Sequence, residues 1–452
     1  MQRRLFGTDG IRGVANQEPM TVELGVRLGR AIAYHFRNGS GRRPQFLIGK
    51  DTRLSGYIFE NALSAGICSM GADVLLVGPM PTPGTAFLTQ DMRVDAGVVI
   101  SASHNPYQDN GIKIFGPEGY KLPDQTEAQL EKLVLEGGEV DRWRPSSDAL
   151  GKAHRINDAD GRYILFCKQT FPKELYLDGV RVVLDCANGA AYRVSPLVFR
   201  ELGAEVFTIG AEPNGTNIND GCGSLHPGRV IAEVRARKAQ IGIALDGDAD
   251  RAVFVDERGE IVDGDRVLAI LARQLLEEGK LAGKTLVATV MSNLALDHFM
   301  KELGGSLVRA SVGDRYVLEA MQQGGFNLGG EQSGHVIFLD HTTTGDGTIC
   351  ALQLLAVMKR SGKTLGELAN LMPLYPQRRN DLRVARRVPL EESPALQAAL
   401  REAEKEVGPD GRILARYSGT EPLLRLLAEG PDAAALDRAL EGLSRTVRSE
   451  LA

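Results

Sequence analysis

At 452 residues the chain is too long for one ordinary core and suits about three domains. Its 53 Lys and Arg against 58 Asp and Glu leave a formal charge of -5, so no cationic field gathers nucleic acid or anionic lipid. Hydrophobic residues at 43% and charged ones at 25% exclude long disorder, collagen and coiled coil. Five widely spaced cysteines (Cys68, Cys167, Cys186, Cys222, Cys350), with no C-x-x-C pair, encode neither a disulfide framework nor a zinc site. They read as small buried residues of a reducing compartment, with Cys222 placed in an exposed loop. The opening MQRRLFGTDG lacks the apolar stretch of a secretory signal, and no run approaches the ~20 apolar residues of a membrane helix, so a cytoplasmic location is expected.

In chain order, three stretches read strand, helix, glycine, strand. The first runs from QFLIG through YIFENALSAGICSM to Gly71 and ADVLLVG; the second from VRVVLD through AAYRVSPLVFREL to Gly203 and AEVFTIG; the third from TLVATV through NLALDHFMKEL to Gly304 and SLVRAS. A glycine closing each helix suits a left-handed turn before a β-rich run. The order predicts parallel strands joined by crossover helices, hence three similar α/β domains. After residue 370, LMPLYPQRRNDLRV reads as an interdomain passage. A helix over PALQAALREAEKEV, strands GRILA and LLRLLAE around RYSGTEP, and an amphipathic AAALDRALEGLSRTVRSEL make a smaller α+β domain. The expected domains are 1–155, 156–257, 258–370 and 371–452. His35, on a helix starting near Thr21, and His154 read as structural.

Each α/β unit also carries an apolar run feeding a polar loop: DAGVVI into SASHNP, IGIAL into DGDADR, FNLGG into EQSGH. Ligands of open α/β sheets bind beyond strand carboxyl ends, so these loops are predicted to line one cleft. Asp246, Asp248 and Asp250 alternate with small residues, which puts the carboxylates on one side of an extended chain. At about 4 Å and an effective dielectric near 20, two like charges repel by about 4 kcal/mol, which a cation relieves. Oxygen-only ligation favours Mg²⁺ or Mn²⁺. The rival is a calcium loop with Glu257 in twelfth place, although Arg251 stands where that loop needs glycine.

Ser101, Ser103 and His104 offer either a Ser–His hydrolase pair or a serine that accepts phosphate; spacing does not choose between the two serines. Arg416, Ser418, Gly419, Thr420 and Arg425 form a phosphate clasp or a hairpin turn with surface arginines. Glu331, Gln332, Ser333 and His335 present fittings for sugar hydroxyls and a proton. Arg12, between glycines, and Lys113 add cations.

FGTDGIRG, SASHNPYQDNGIK, DGDADR, GEQSGH, TTTGDG and RYSGTEPLLR, in this order over nearly the whole chain, resemble the α-D-phosphohexomutase superfamily. The resemblance implies three mixed-sheet α/β domains plus a smaller C-terminal domain around a central cleft, and an isomerase. It implies phosphoserine at Ser103, one Mg²⁺ held by that phosphate with Asp246, Asp248 and Asp250, and Arg251 beside the metal loop. Glu331, Ser333 and His335 then meet the sugar, while Arg416, Ser418, Gly419, Thr420 and Arg425 hold the distal phosphate. Arg12 and Lys113 compensate the transferred group, and Lys113 and His335 are the candidates for taking the hydroxyl proton. A homodimer through the first domain is also implied, and the need to retain a bisphosphate while it turns around predicts that the fourth domain closes on the cleft, with LMPLYPQ near its hinge. Gln332, V-G-D-R at 312–315 and the FGTDGIRG opening point to the phosphoglucosamine branch, hence to interconversion of glucosamine 6- and 1-phosphates through the 1,6-bisphosphate for wall precursors. The alternatives are glucose or mannose phosphate mutases, an aspartate-nucleophile phosphatase reading Asp246 as nucleophile, and a non-catalytic sugar-phosphate sensor.

Overall fold

The computed structural model describes residues 5–7, 9–37, 42–417 and 422–451. They fall into two compact units, Met1–Met291 with Leu307–Leu371, and Ser292–Ser306 with Met372–Ala452.

The first sheet contains β1 (Ile11–Val14), β2 (Gln45–Lys50), β3 (Asp73–Pro79), β4 (Ala96–Ile100), β5 (Asp109–Phe115) and β6 (Ala153–Arg155), ordered β1-β5-β4-β2-β3-β6. The second contains β7 (Arg181–Asp185), β8 (Glu205–Ile209), β9 (Ile241–Leu245), β10 (Ala252–Asp256) and β11 (Ile261–Val262), ordered β11-β10-β9-β7-β8. The third contains β12 (Thr285–Thr289), β13 (Ser306–Ala310), β14 (Leu328–Gly330) and β15 (Val336–Phe338), ordered β13-β12-β14-β15. One pattern repeats in all three. A central strand pairs in parallel with the strand that precedes the polar loop: β2 with β4, β7 with β9, β12 with β14. That strand then turns back into an antiparallel partner: β4 into β5, β9 into β10, β14 into β15. The sheets are therefore mixed, and β4, β9 and β12 are buried along their whole length, as the apolar runs of β4 and β9 and the apolar centre of β12 require.

The helix Val22–His35 starts where Thr21 caps it, its side chain accepting from the Leu24 amide. Asp346 caps the helix Gly347–Ser361 through hydrogen bonds from the Thr348 and Ile349 amides, both at 2.9 Å, and accepts a third from the buried Tyr163 hydroxyl at 2.7 Å. Burial pushes the Asp346 carboxyl up to about 6 despite these donors. Because this lies above the unfolded value near 3.8, the group's contribution to stability is complete below about pH 4 and is lost as pH rises through 6. Asp346→Asn keeps an equally good cap and does not titrate. Denaturant unfolding is thus expected to show the parent losing on the order of 3 kcal/mol relative to this variant between pH 4 and pH 7. Parallel curves across that window would refute the reading.

Two expectations are corrected. QRRNDLR is strand β16 (Gln377–Arg383), which pairs antiparallel with β18 (Leu423–Glu429) in a sheet ordered β16-β18-β17, where β17 is Arg412–Tyr417. At a sheet edge only Leu382 of this strand is buried, so its composition imitates a linker. Cys222 is fully buried, with the Asn188 amide 3.8 Å from its sulfur, and burial together with Asp185 pushes its thiol up to about 11. The helices Pro394–Val407 and Ala433–Leu451 lie where the sequence places them.

Candidate active site

The loop after β4 leaves a fully buried strand, and Ser103 within it adopts a left-handed backbone, φ 52°. This directs its Oγ, with the residue only 1% exposed, to Asp246 Oδ2 at 2.5 Å. The hydroxyl of Ser101 is committed elsewhere: it donates to Asp51 at 2.6 Å and accepts from the Ser103 amide at 2.9 Å. Geometry thus separates two serines that spacing could not. The left-handed turn also brings Ser103 Oγ to 3.3 Å from His104 Nδ1, where an extended chain would make the two diverge. Arg251 donates to that same nitrogen at 3.2 Å, and burial followed by Arg251 and Arg12 lowers the His104 pKa. A ring nitrogen already claimed by a guanidinium makes a poor base, which weighs against the hydrolase reading.

The carboxylates converge by a different route from the one expected. Asp246–Asp250 is a tight turn with Ala249 at φ 58°, not an extended segment, and one oxygen from each of Asp246, Asp248 and Asp250 lies within 4.8 Å of the others. Gly247 permits the approach to the serine loop, since a Cβ there would stand 2.6 Å from the Ser103 carbonyl oxygen. Asp248 Oδ1 and Asp250 Oδ1 are buried with no hydrogen-bond partner, a state that an oxygen-seeking divalent cation would satisfy. Three carboxylate oxygens gathered this closely could share one divalent cation, so the triad fits such an ion. Burial, then Asp250 and Asp248, hold the Asp246 carboxyl well above the ordinary range. Burial would also raise Asp250, but Lys113, His335 and Arg251 together hold it well below. Glu257 faces away from this turn, accepting from Thr364 and the Gly366 amide, which removes the calcium-loop reading.

Lys113, on β5, is 1% exposed and sits 3.0 Å from Asp248, 3.2 Å from Asp9 and 3.6 Å from Asp250. Burial favours the neutral amine, yet these carboxylates outweigh it and raise the pKa, so the side chain is an ammonium. Arg12, on β1, pairs with Asp9, and Arg251 lies 3.7 Å from Asp250. His335 is buried, with Nδ1 3.7 Å from Asp250 and Nε2 accepting the Gly345 N–H at 3.1 Å. Burial lowers its pKa, but Asp250 and Asp314 outweigh burial and raise it. The Gly345 contact needs a bare Nε2, so we place the proton on Nδ1. As placed, Lys113 and His335 both hold protons.

A cavity of about 400 Å³ opens beside this cluster, lined by Arg12, His104, Asp250, Arg251, Asp314 and Glu331 among others. Glu331 accepts the Gly313 amide at 3.0 Å, while Ser333 is exposed and outside the lining. Gln332, taken as a mark of the amino-sugar branch, makes a long 3.5 Å contact with Asp263 and is also outside the lining. Asp314 and Arg315 of V-G-D-R do line the cavity.

On the second unit, Arg416 and Arg425 stand directly opposite on β17 and β18, with Asp381 3.8 Å from Arg425. Asp381, opposite Arg425 on β16, already sets a carboxylate against this pair of like charges. Ser418, Gly419 and Thr420 lie outside the described residues.

Several groups escaped the sequence reading. Arg53 and Asp51 clamp the serine loop from beyond β2, Thr82 donates to Asp248 Oδ2 at 2.7 Å from beyond β3, and Asn219 donates to the Ser103 carbonyl at 2.9 Å. Lys121 bridges Asp9 and Asp314. The available signal was position: Asp51, Arg53 and Thr82 follow parallel strands at the same carboxyl ends as the three loops.

Comparison with known proteins agrees with this geometry. Models of the four phosphoglucomutase/phosphomannomutase domains match residues 3–141 (domain I), 162–259 (domain II), 263–375 (domain III) and 381–444 (C-terminal domain). A phosphoglucosamine mutase of Syntrophotalea carbinolica is 56% identical over 451 residues, covering 100% of this chain and 98% of the relative. One from Geotalea daltonii is 59% identical over 430 residues, covering 95% and 94%. Among solved structures, a phosphoglucomutase/phosphomannomutase family protein of Burkholderia thailandensis superposes with TM-score 0.82 at 26% identity, covering 98% of this chain and 97% of that one. Aspergillus fumigatus N-acetylphosphoglucosamine mutase, solved with GlcNAc-6P and magnesium, shares the fold at TM-score 0.69 and 18% identity, covering 99% and 96%. With all four domain models matched in order along its length, the chain belongs to the phosphoglucomutase/phosphomannomutase family of phosphohexomutases.

Proposed function

We propose that the chain is a phosphoglucosamine mutase, interconverting glucosamine 6-phosphate and glucosamine 1-phosphate through a phosphoserine at Ser103 and a bound 1,6-bisphosphate. The observation that carries the site assignment is Ser103 Oγ, turned by its left-handed backbone onto the carboxylate triad while Ser101 is committed to Asp51. The amino-sugar assignment rests on relatives 54–59% identical over nearly the full chain.

In the first half-reaction the Oγ–P bond of phosphoserine breaks, a P–O bond forms to the free sugar hydroxyl, and the proton that hydroxyl loses replaces the phosphoryl group on Ser103 Oγ. In the second, the other phosphate of the reoriented bisphosphate returns to Oγ. Positioning and charge compensation carry such transfers. Lys113 as an ammonium, Arg12 and Arg251 compensate the transferred group, and His335 presents an Nδ1 proton beside Asp250. Glu331, Ser333 and His335 take the sugar; Arg416, Arg425 and the loop Ser418, Gly419, Thr420 take the phosphate that is not reacting. Asp246, Asp248, Asp250 and the Ser103 phosphate would hold Mg²⁺, which would supply neutralisation of charge on the transferring group. The domain limits proposed above, 1–155, 156–257, 258–370 and 371–452, give one functional loop to each domain. No helix among the described residues is long and apolar enough to cross a membrane, in keeping with the cytoplasmic location we propose; a homodimer through the first domain belongs to the same family-based reading.

Turnover of glucosamine, glucose and mannose phosphates tests the assignment. kcat/KM for the amino sugar is expected to exceed the others by at least about tenfold, the scale on which a few buried polar contacts discriminate. A wide preference for mannose 1-phosphate would replace the substrate. A hydroxylamine-labile phosphoenzyme would indicate an aspartate-nucleophile phosphatase instead.

A further inference from the structure

The backbone of Ser103 is held at both of its polar groups. Its amide donates to Ser101 Oγ, which donates to Asp51 Oδ2; its carbonyl accepts Arg53 Nη2 at 2.9 Å. Asp51 and Arg53 close the circuit on each other, Nε to Oδ2 at 2.8 Å, with both side chains 0% exposed. The remaining Arg53 donors go to the carbonyls of Asn105 at 2.8 Å, Asp109 at 3.1 Å and Pro106. All the N–H groups of a fully buried guanidinium are thus spent on one ion pair and one loop, a pattern that lysine, with a point charge and three donors, cannot reproduce.

A left-handed serine costs of order 1–3 kcal/mol and persists only where its surroundings over-determine it. The load on this backbone also changes during the proposed cycle, because a phosphoryl group adds about -1.5 to -2 charge to Oγ beside Asp246. That load falls on a backbone held from Asp51 and Ser101, which directly follow β2 and β4.

We propose that Asp51, Arg53 and Ser101 form a tether that fixes the Ser103 backbone for phosphoryl transfer, acting as positioning residues that touch neither sugar nor phosphate. The proposal rests on the phosphoserine reading above. Misplacement of a reacting group by about 1 Å costs roughly 10²-fold in rate. Ser101→Ala is therefore expected to lower kcat by about that factor while KM for the sugar phosphate stays within about twofold. Phosphoryl uptake from glucosamine 1,6-bisphosphate onto Ser103, followed by rapid quench and intact mass, should slow in the same proportion. Asp51→Asn should behave likewise, and Arg53→Lys should fall between them and the parent. A folded Ser101→Ala enzyme with the parent's kcat, or one whose loss lies in KM alone, overturns the tether. If Ser101→Ala does not fold, Asp51→Asn is read by the same criteria; if neither folds, the residues are structural and the inference falls. A parent that never gains a phosphoryl group at residue 103 would instead sink the phosphoserine reading.

Discussion

Ser103→Ala is expected to abolish exchange of phosphate between positions 1 and 6, with a loss of at least about 10³-fold, since removing a covalent nucleophile leaves only binding and electrostatic terms. The substitution removes one oxygen from a residue that is 1% exposed, and the structure gives it few other consequences. Ser103 Oγ donates to Asp246 and lies near His104; its backbone contacts to Ser101, Arg53 and Asn219 remain. The variant should fold, bind sugar phosphate and carry no phosphoryl group by intact mass. Ser101→Ala, two residues away, should still be phosphorylated at 103, only more slowly. Isomerisation by Ser103→Ala at the parent's speed would remove the phosphoserine mechanism and favour an aspartyl phosphate.

The second large effect concerns the triad. Three buried carboxylates lie with oxygens within 4.8 Å, and burial first, then repulsion from Asp250 and Asp248, raises the Asp246 carboxyl well above the ordinary range. Asp246→Asn removes the ionisable group; its one oxygen keeps the Arg251 amide, and its NH2 donates to Ser103 Oγ, reversing that hydrogen bond. In a chelator the variant should therefore match or exceed the parent in thermal stability. Its turnover with Mg²⁺ should fall by at least about 10²-fold, as when a group stabilising transition-state charge is lost. Mg²⁺ at a hundred times its Kd is expected to stabilise the parent by about 2.7 kcal/mol and the variant far less. Equal stabilisation of both proteins by Mg²⁺, or full parental turnover in chelator, would show that these carboxylates do not hold the ion. Higher stability with lower activity is the signature of a site strained for function.

The chain alone established the repeat, because a period-breaking glycine after each helix and an apolar run before each polar loop are local signals. It also yielded the triad, the serine pair and the two arginines of RYSGTEPLLR, whose chemistry is dense within a few residues. It misread β16, where an edge strand tolerates arginines that a central strand would exclude, and Cys222, whose burial depends on packing against Asn188 and Asp185.

What only the tertiary structure decided was the assignment of neighbouring groups that carry the same chemistry. Ser101 and Ser103 are equivalent on paper; the difference is a backbone angle of 52° and a carboxylate contributed fifty residues earlier by Asp51. Lys113 becomes a fixed ammonium because Asp9, just before β1, and Asp248 and Asp250, in the turn after β9, surround it, and no spacing along the chain encodes that encounter. Sequence reports which donors and acceptors are available within a loop. Burial and distance, which set their charge and their partners, arise only when the carboxyl ends of parallel strands are brought together.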